Sequence, residues 1–241
     1  MDSFAPKTGY DQVVGVSILG LPLVTRLDED RVVKNDSTLR EIEALKFVAA
    51  NTTTPVRRVY DNKPNEEDDS YYVVMDYMPG QPLDKVWMNL TIDQRASVCD
   101  QLAGYLSQPQ KLKSHRIEAA NGSSKEFNDF LARGTQHRPA EIHEIRFTHG
   151  DLSPRNILAD DSGHIAAIVD WEWAGWFPEY WDVARIFLDM PGKKKMPNYE
   201  EQLCSALPND YAEEFLVMLN VARLEHPWDG GVPVVQQPQP N

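Results

Sequence analysis

Residues 147–175 read FTHGDLSPRNILADDSGHIAAIVDWEWAG. Two short apolar runs, Ile157-Leu158 and Ile165 to Val169, flank a polar turn at Asp160 to Gly163. β-prone segments joined by an Asp/Gly turn predict a hairpin. The hairpin brings Asn156, before its first strand, close to Asp170, at the end of its second, and Asp151 lies on the loop just before. Three oxygen-bearing side chains therefore converge at one mouth. Phosphoryl transfer needs such a group: a carboxylate that orients a hydroxyl and takes its proton, and oxygen ligands for Mg²⁺. Two other readings stand beside it. Each residue alone fits an ordinary hairpin, as a turn residue, a strand cap and a strand-end carboxylate. His149, Asp151 and Asp170 could also hold a hydrolytic metal, although such sites usually carry more histidine.

The joint pattern HGDLSPRN followed by IVDWE resembles the signature of the aminoglycoside phosphotransferase/choline kinase family, the small-molecule branch of the protein-kinase-like superfamily. The longer run VDWEWAGWFPEYWDVAR is similar to its fungal-type branch. The resemblance implies that Asp151 is the catalytic base and that Asn156 and Asp170 are the Mg²⁺ ligands. VTRLDEDRVVK resembles the same family's strand segment and implies that Lys34 grips the phosphates of ATP. A helix over 38–50 has an apolar stripe at Leu39, Ile42, Leu45 and Val48. Thr38 and Glu41 fit a capping box, whereas the resemblance makes Glu41 the partner of Lys34, with Glu43 as the fallback. A carboxylate folded back on the cap cannot easily reach Lys34, so the two roles compete, and the ion pair is the expectation here.

Residues 11–34 read as two strands, VVGVSILG and then LPLVTRLDEDRVVK, with a turn near Asp28 to Asp30. Val56 to Tyr60 reads as a short strand, and Asp61 to Ser70 as a surface loop. Tyr71 to Tyr77 is an apolar strand broken by MPGQPL. The resemblance makes this strand the hinge, with Met75 behind the base pocket and the backbones of Asp76 and Met78 bonding the base. No G-x-G-x-x-G loop is present, and Leu19 to Leu23 is the expected cover of the phosphates. Helices are expected over Leu83 to Leu90, Thr91 to Leu106, Glu126 to Arg133, and in two pieces over Tyr199 to Leu224. Arg155 is either a surface residue or a contact for phosphate or an acidic substrate. Glu172, two residues past Asp170, is read on the same face of an extended strand. The aromatic cluster from Trp171 to Trp181 reads first as core and second as a wall for an organic cation. Asp182 is read as a helix N-cap, and the resemblance implies that it also bonds the catalytic loop backbone.

The 241 residues, with 41% hydrophobic content, suffice for one large domain or two small lobes. The fold expected is α+β and bilobal, of the protein-kinase-like type, with a small antiparallel-sheet N-lobe over 1–78 and a mainly helical C-lobe over 79–229. The tail 230–241, rich in Pro and Gln, is expected to be disordered. A net charge of −13 argues against nucleic acid and anionic lipid as partners and is compatible with a cationic substrate. No stretch approaches the ~20 apolar residues that span a bilayer. No basic start precedes an apolar run, so no secretory leader is expected. Cys99 and Cys204, both in helix-like segments, are read as packing residues of a reduced cytoplasmic protein. The function expected is transfer of the γ-phosphoryl of Mg·ATP to the hydroxyl of a small molecule, aminoglycoside-, choline- or sugar-like. A catalytically weak nucleotide-binding protein and a protein kinase are the alternatives.

Overall fold

The structure is a computed structural model that describes residues 4–10, 12–16, 22–115, 118–119, 143–188, 192, 194–207, 211 and 214–216. Its N-terminal part is a sheet of β1 (Val13–Val16), β2 (Pro22–Arg26), β3 (Arg31–Ser37), β4 (Val59–Pro64) and β5 (Tyr71–Asp76). The order is β1-β2-β3-β5-β4, and every pairing is antiparallel. Residues 11–34 thus contribute to three strands, because the turn expected near Asp28 to Asp30 divides the second run into β2 and β3. Asp28 satisfies that turn: its carboxylate accepts the Asp30 and Arg31 amides at 3.1 and 2.9 Å. The Arg31 guanidinium adds bonds of 3.0 and 2.7 Å to the same group and holds the Asp28 carboxyl well below the usual carboxylate range.

Helix α1 (Leu39–Asn51) follows, capped by the Thr38 side chain, which accepts the Glu41 amide at 3.2 Å. Ile42, Leu45 and Val48 turn its apolar stripe inward and are buried, whereas Leu39 is exposed. β4 starts at Val59 rather than Val56 because the backbone before it is bonded elsewhere. The Pro55 carbonyl accepts the Ile168 amide at 2.8 Å, and the Arg58 carbonyl accepts the Asp76 amide at 3.1 Å. β4 then runs on to Pro64, into what reads locally as loop.

The C-terminal part begins with β6 (Gln81–Pro82) and α2 (Leu83–Val86), which tightens into a 3-10 turn at Trp87–Asn89 instead of continuing as one helix to Leu90. Trp87 is fully buried, and its Nε1 donates to the Pro197 carbonyl at 3.0 Å. Arg95 Nε takes the Trp87 carbonyl at 3.0 Å. Helix α3 (Ile92–Leu106) opens with a complete capping box between Thr91 and Gln94. A four-stranded sheet is built from β7 (Lys113–Ser114), β8 (Glu118–Ala119), β9 (Ile145–Thr148) and β12 (Gly175–Pro178) in the order β7-β9-β12-β8. β10 (Ile157–Ala159) and β11 (Ile165–Ile168) form the expected hairpin, with β6 on the far edge of β10. Asp160 closes the turn by accepting from Ser162 N, Ser162 Oγ and His164 N at 2.9, 2.6 and 3.0 Å.

Helices follow at Trp181–Leu188 and Tyr199–Ala206. One buried apolar cluster runs from Val32 and Ile42 through Leu83, Trp87 and Leu102 to Ile157, Trp171 and Leu203, so both parts share a core. Cys99 is buried in it, but Cys204 is exposed and is not a packing residue. The expected helix at 126–133, the chain beyond 216 and the tail 230–241 lie outside the described residues.

Candidate active site

The hairpin sets the site. Ile157 pairs with Ile168, and the Val169 amide donates to the Asn156 carbonyl at 2.9 Å. Asn156 is thereby placed opposite the residue before Asp170. Its buried side chain donates Nδ2 to the Asp151 carbonyl at 2.9 Å. Asp170 has φ 68° and ψ 59°, a left-handed conformation rare for a residue with a side chain. The chain then enters a 3-10 turn at Trp171–Trp173. Glu172 is therefore not on an extended strand. Burial, and then the Asp170 charge beside it, raise its carboxyl above the ordinary value.

Asp170 meets the N-terminal sheet. Lys34 Nζ donates to both oxygens of Glu41 at 2.8 Å each and to Asp170 Oδ1 at 3.3 Å. Burial works against the Lys34 charge, but Glu41 and then Asp170 outweigh it and hold the ammonium pKa above normal. The competition at Glu41 is resolved by dividing the residue. Its backbone amide takes the Thr38 cap, while its carboxylate takes Lys34. Glu43 pairs with Lys46 at 3.2 Å and plays no part here.

The loop around Asp151 is held from the Trp181–Leu188 helix. Asp182, buried in its first turn, accepts the His149 and Gly150 amides at 2.9 Å each. Burial raises its carboxyl, and those two amides oppose the shift. Trp181 Nε1 donates to the Gly150 carbonyl at 3.1 Å. Gly150 has φ +86°, and a Cβ there would stand 2.1 Å from the Trp173 carbonyl oxygen. Only glycine fits this position of the HGD motif. His149 is engaged at both ring nitrogens, with the Val169 carbonyl at 2.9 Å and the Asp151 amide at 3.3 Å. That leaves the hydrolytic-metal arrangement unassembled, and among the described residues no group of three His, Cys, Asp or Glu could hold a metal.

Asp151 is buried, and each of its oxygens meets a guanidinium. Arg155 Nη2 bonds Oδ2 at 2.7 Å, and Arg185 Nη2 bonds Oδ1. Arg185 lies 34 residues away in sequence, on the Trp181–Leu188 helix, and no local pattern signals the contact.

In the strand read as the hinge, Met75 is buried in β5, and Met78 beyond it is half-buried. The Asp76 amide already donates to Arg58, and its carboxylate accepts from Arg58 N at 2.9 Å and Tyr60 OH at 2.7 Å. Its backbone amide is thus engaged within the sheet. Sequence reasoning overlooked Arg57. It lies on the backbone strip between Pro55, bonded to β11, and Arg58, bonded to β5. Its Nε is buried with no hydrogen-bond partner, and burial lowers its pKa against the opposing charges of Glu41 and Asp170. The only sequence cue is a second arginine in PVRRVY, where apolar alternation would place an inward residue.

Most of the aromatic cluster is core. Trp171, Phe177, Tyr180 and Trp181 are buried, and the His149 and Trp171 rings lie 4.6 Å apart. Trp173 is the exception at 51% exposure. Of Leu19 to Leu23, expected over the phosphates, residues 19–21 lie outside the described residues, and Pro22 and Leu23 begin β2.

A family model described as "Phosphotransferase enzyme family" matches residues 9–214. The fold is similar to a crystal structure of aminoglycoside-3'-phosphotransferase of type VIII, with TM-score 0.56 and 21% identity, over 92% of this chain and 88% of that one. It is similar also to wild-type aminoglycoside 2'-phosphotransferase-IIIa in its GDP complex, with TM-score 0.64 and 13% identity, over 84% and 80%. A thermostable mutant of aminoglycoside phosphotransferase APH(4)-Ia, in a ternary complex with AMP-PNP and hygromycin B, matches with TM-score 0.57 and 14% identity, over 83% and 79%. Among curated proteins, MAP kinase kinase MKK1/SSP32 of Saccharomyces cerevisiae (strain ATCC 204508 / S288c) is 22% identical over 151 residues, 63% of this chain. The chain spans 24% of that relative's length.

Proposed function

Because this chain belongs to the phosphotransferase enzyme family, we propose that it moves the γ-phosphoryl group of ATP to the hydroxyl of a small molecule. The observation that carries the reading is the contact of one ammonium, Lys34, with both Glu41 and Asp170. It ties the N-terminal sheet to the catalytic hairpin. A cation fixed there by a rigid strand suits nucleotide phosphates. In this reading 1–78 is the N-lobe and 79–229 the C-lobe, and the nucleotide lies between them. Met75 backs the base, and the Asp76 carbonyl and Met78 amide bond its edge. The relatives solved as GDP and AMP-PNP complexes favour a nucleotide co-substrate of this type.

Asp151 orients the acceptor hydroxyl and receives its proton. The hydroxyl oxygen forms the new bond to the γ-phosphorus, the bridging bond to the β-phosphate breaks, and ADP leaves with that electron pair. Asn156, through the amide oxygen that is not turned to Asp151, and Asp170 would hold Mg²⁺, which supplies neutralisation of phosphate charge. An Asn and an Asp within a hairpin's reach are a fitting oxygen donor set for that hard cation. No helix among the described residues is long and apolar enough to cross a membrane, which is compatible with work on a small solute in the cytoplasm.

The test is a thermal-shift titration with ATP, with and without Mg²⁺, on the wild type and Asp170→Ala. At a hundred times Kd, binding to the native state adds about 2.7 kcal/mol of apparent stability. A Mg²⁺-dependent shift lost in the variant is expected, and its absence from the wild type at saturating nucleotide would overturn the reading. The two guanidiniums on Asp151 favour one second reading, a protein that binds nucleotide without transferring it. That reading expects the same shift with no ADP formed for any acceptor.

A further inference from the structure

The acceptor hydroxyl must reach Asp151, and both Asp151 oxygens lie under arginine. Arg155 comes from the loop and has a half-exposed side chain, while Arg185 comes from the Trp181–Leu188 helix and is one-third exposed. A ligand arriving at Asp151 therefore meets two guanidiniums that solvent can reach. Arg185 also has a buried Nε with no hydrogen-bond partner. Nη2 of its planar fork bonds Asp151, and the third of the side chain that solvent reaches is what an arriving ligand meets. Such a fork matches the two oxygens of a carboxylate or phosphate. An ammonium placed beside the same pair meets like charge at close range.

We propose that the acceptor is an anionic hydroxyl compound, whose carboxylate or phosphate group binds Arg185 and Arg155 next to the hydroxyl that is phosphorylated. The inference rests on the phosphotransferase reading and narrows its substrate class, away from aminoglycosides and choline-like amines. It also assigns a second role to the pair. By taking guanidinium donors from Asp151, the acceptor's anion opens a carboxylate oxygen for the incoming proton. The bonds exchanged are unchanged: the oxygen–γ-phosphorus bond forms, the β,γ-bridge breaks, ADP takes the electron pair and Asp151 takes the proton. An enzyme with no acid bound then keeps its base covered, which limits transfer to water.

The experiment pairs acceptors of similar size and different charge. Mg·ATP consumption is followed with glycerate, gluconate, glucuronate and glucose 6-phosphate, against glycerol, glucose, glucosamine and kanamycin. Thermal shift on the ATP-bound protein runs in parallel. At least one acid is expected to be turned over with the highest kcat/KM of the series, and the carboxylate and phosphate arms identify which anion is preferred. Arg185→Met and Arg155→Met are each expected to raise KM for that acid by roughly ten- to a hundredfold, the loss of a charge-assisted hydrogen bond, while the nucleotide-induced shift persists. The half-exposed Arg155 keeps the test available should Arg185→Met fail to fold. Equal or better turnover of glucose, glucosamine or kanamycin overturns the proposal. So do an ATP-bound protein that neither shifts nor turns over with any acid, and variants whose KM is unchanged. Failure to bind Mg·ATP at all is a different result, which removes the phosphotransferase reading and the proposal with it.

Discussion

Glu41→Gln removes a charge while keeping the side chain's size, and the surrounding contacts determine its cost. The Thr38 cap bonds the Glu41 backbone amide, so the helix N-terminus keeps its hydrogen bond. Lys34 loses its nearest counter-charge. Its side chain is 13% exposed, and that of Glu41 is 4% exposed. Removing one partner of a buried pair costs roughly 3–5 kcal/mol, mostly because the other charge is left uncompensated. Asp170 Oδ1 remains at 3.3 Å from Lys34, which places the expected loss near the low end, about 3 kcal/mol. For a chain of this size that is a fall in Tm of roughly 6–12 °C. Urea unfolding of the wild type, Glu41→Gln, Lys34→Met and the double variant measures it. The double variant should be less costly than the sum of the singles, because removing both charges leaves neither stranded. A Glu41→Gln protein within about 0.5 kcal/mol of wild type, or a double variant equal to the sum, would refute the claim that this pair is a mutually dependent buried unit.

The same geometry sets three further outcomes. Gly150→Ala should destabilise by more than about 1 kcal/mol, since a Cβ would stand 2.1 Å from the Trp173 carbonyl and φ is +86°. Urea midpoints check it, and a midpoint equal to wild type would mean the loop adopts another path. Asp28, held low by Arg31, contributes stability that is present above the unfolded carboxyl's pKa and is lost as pH falls below it. Asp28→Asn should therefore flatten the decline in urea midpoint below about pH 4, and an unaltered acid limb would contradict the turn assignment. Arg57→Met should leave the urea midpoint unchanged or raised, because a buried unpartnered donor is removed, while lowering ATP affinity. Unchanged affinity would make Arg57 a packing residue only.

Sequence signals are legible where their physical cause is local. The Asp160–Gly163 turn, the β10–β11 hairpin and the Thr38 cap depend on residues within a few positions of one another. Their side chains reach their own backbone, so the pattern carries the geometry. The HGD and DWE pattern likewise puts Asp151, Asn156 and Asp170 in one neighbourhood, and the family match over 9–214 accords with that resemblance. Boundaries depart from the local pattern where distant groups intervene. β4 begins late because Ile168 and Asp76 claim the backbone before it, and the Leu83–Leu90 helix breaks at Trp87 because Pro197 and Arg95 hold that residue.

What the sequence alone determined was the strands and helix of the N-terminal part, the α3 segment, the β10–β11 hairpin and the identity of the polar groups at its mouth, since periodicity, caps and turns act over a few residues. The β7-β9-β12-β8 sheet, built from strands far apart in the chain, was not among them. What the tertiary structure decided was how those groups are shared. Glu41 could cap or pair until Lys34 stood 2.8 Å from it across the sheet–helix gap. Asp170 could extend the strand until the 3-10 turn and the left-handed φ directed it toward Lys34. Asp151 could be an open base until Arg185 arrived from 34 residues downstream. Each outcome depends on charges and donors that are far apart along the chain and close in space. Short-range pattern carries no record of that proximity, because it is packing of the shared core that brings the elements together.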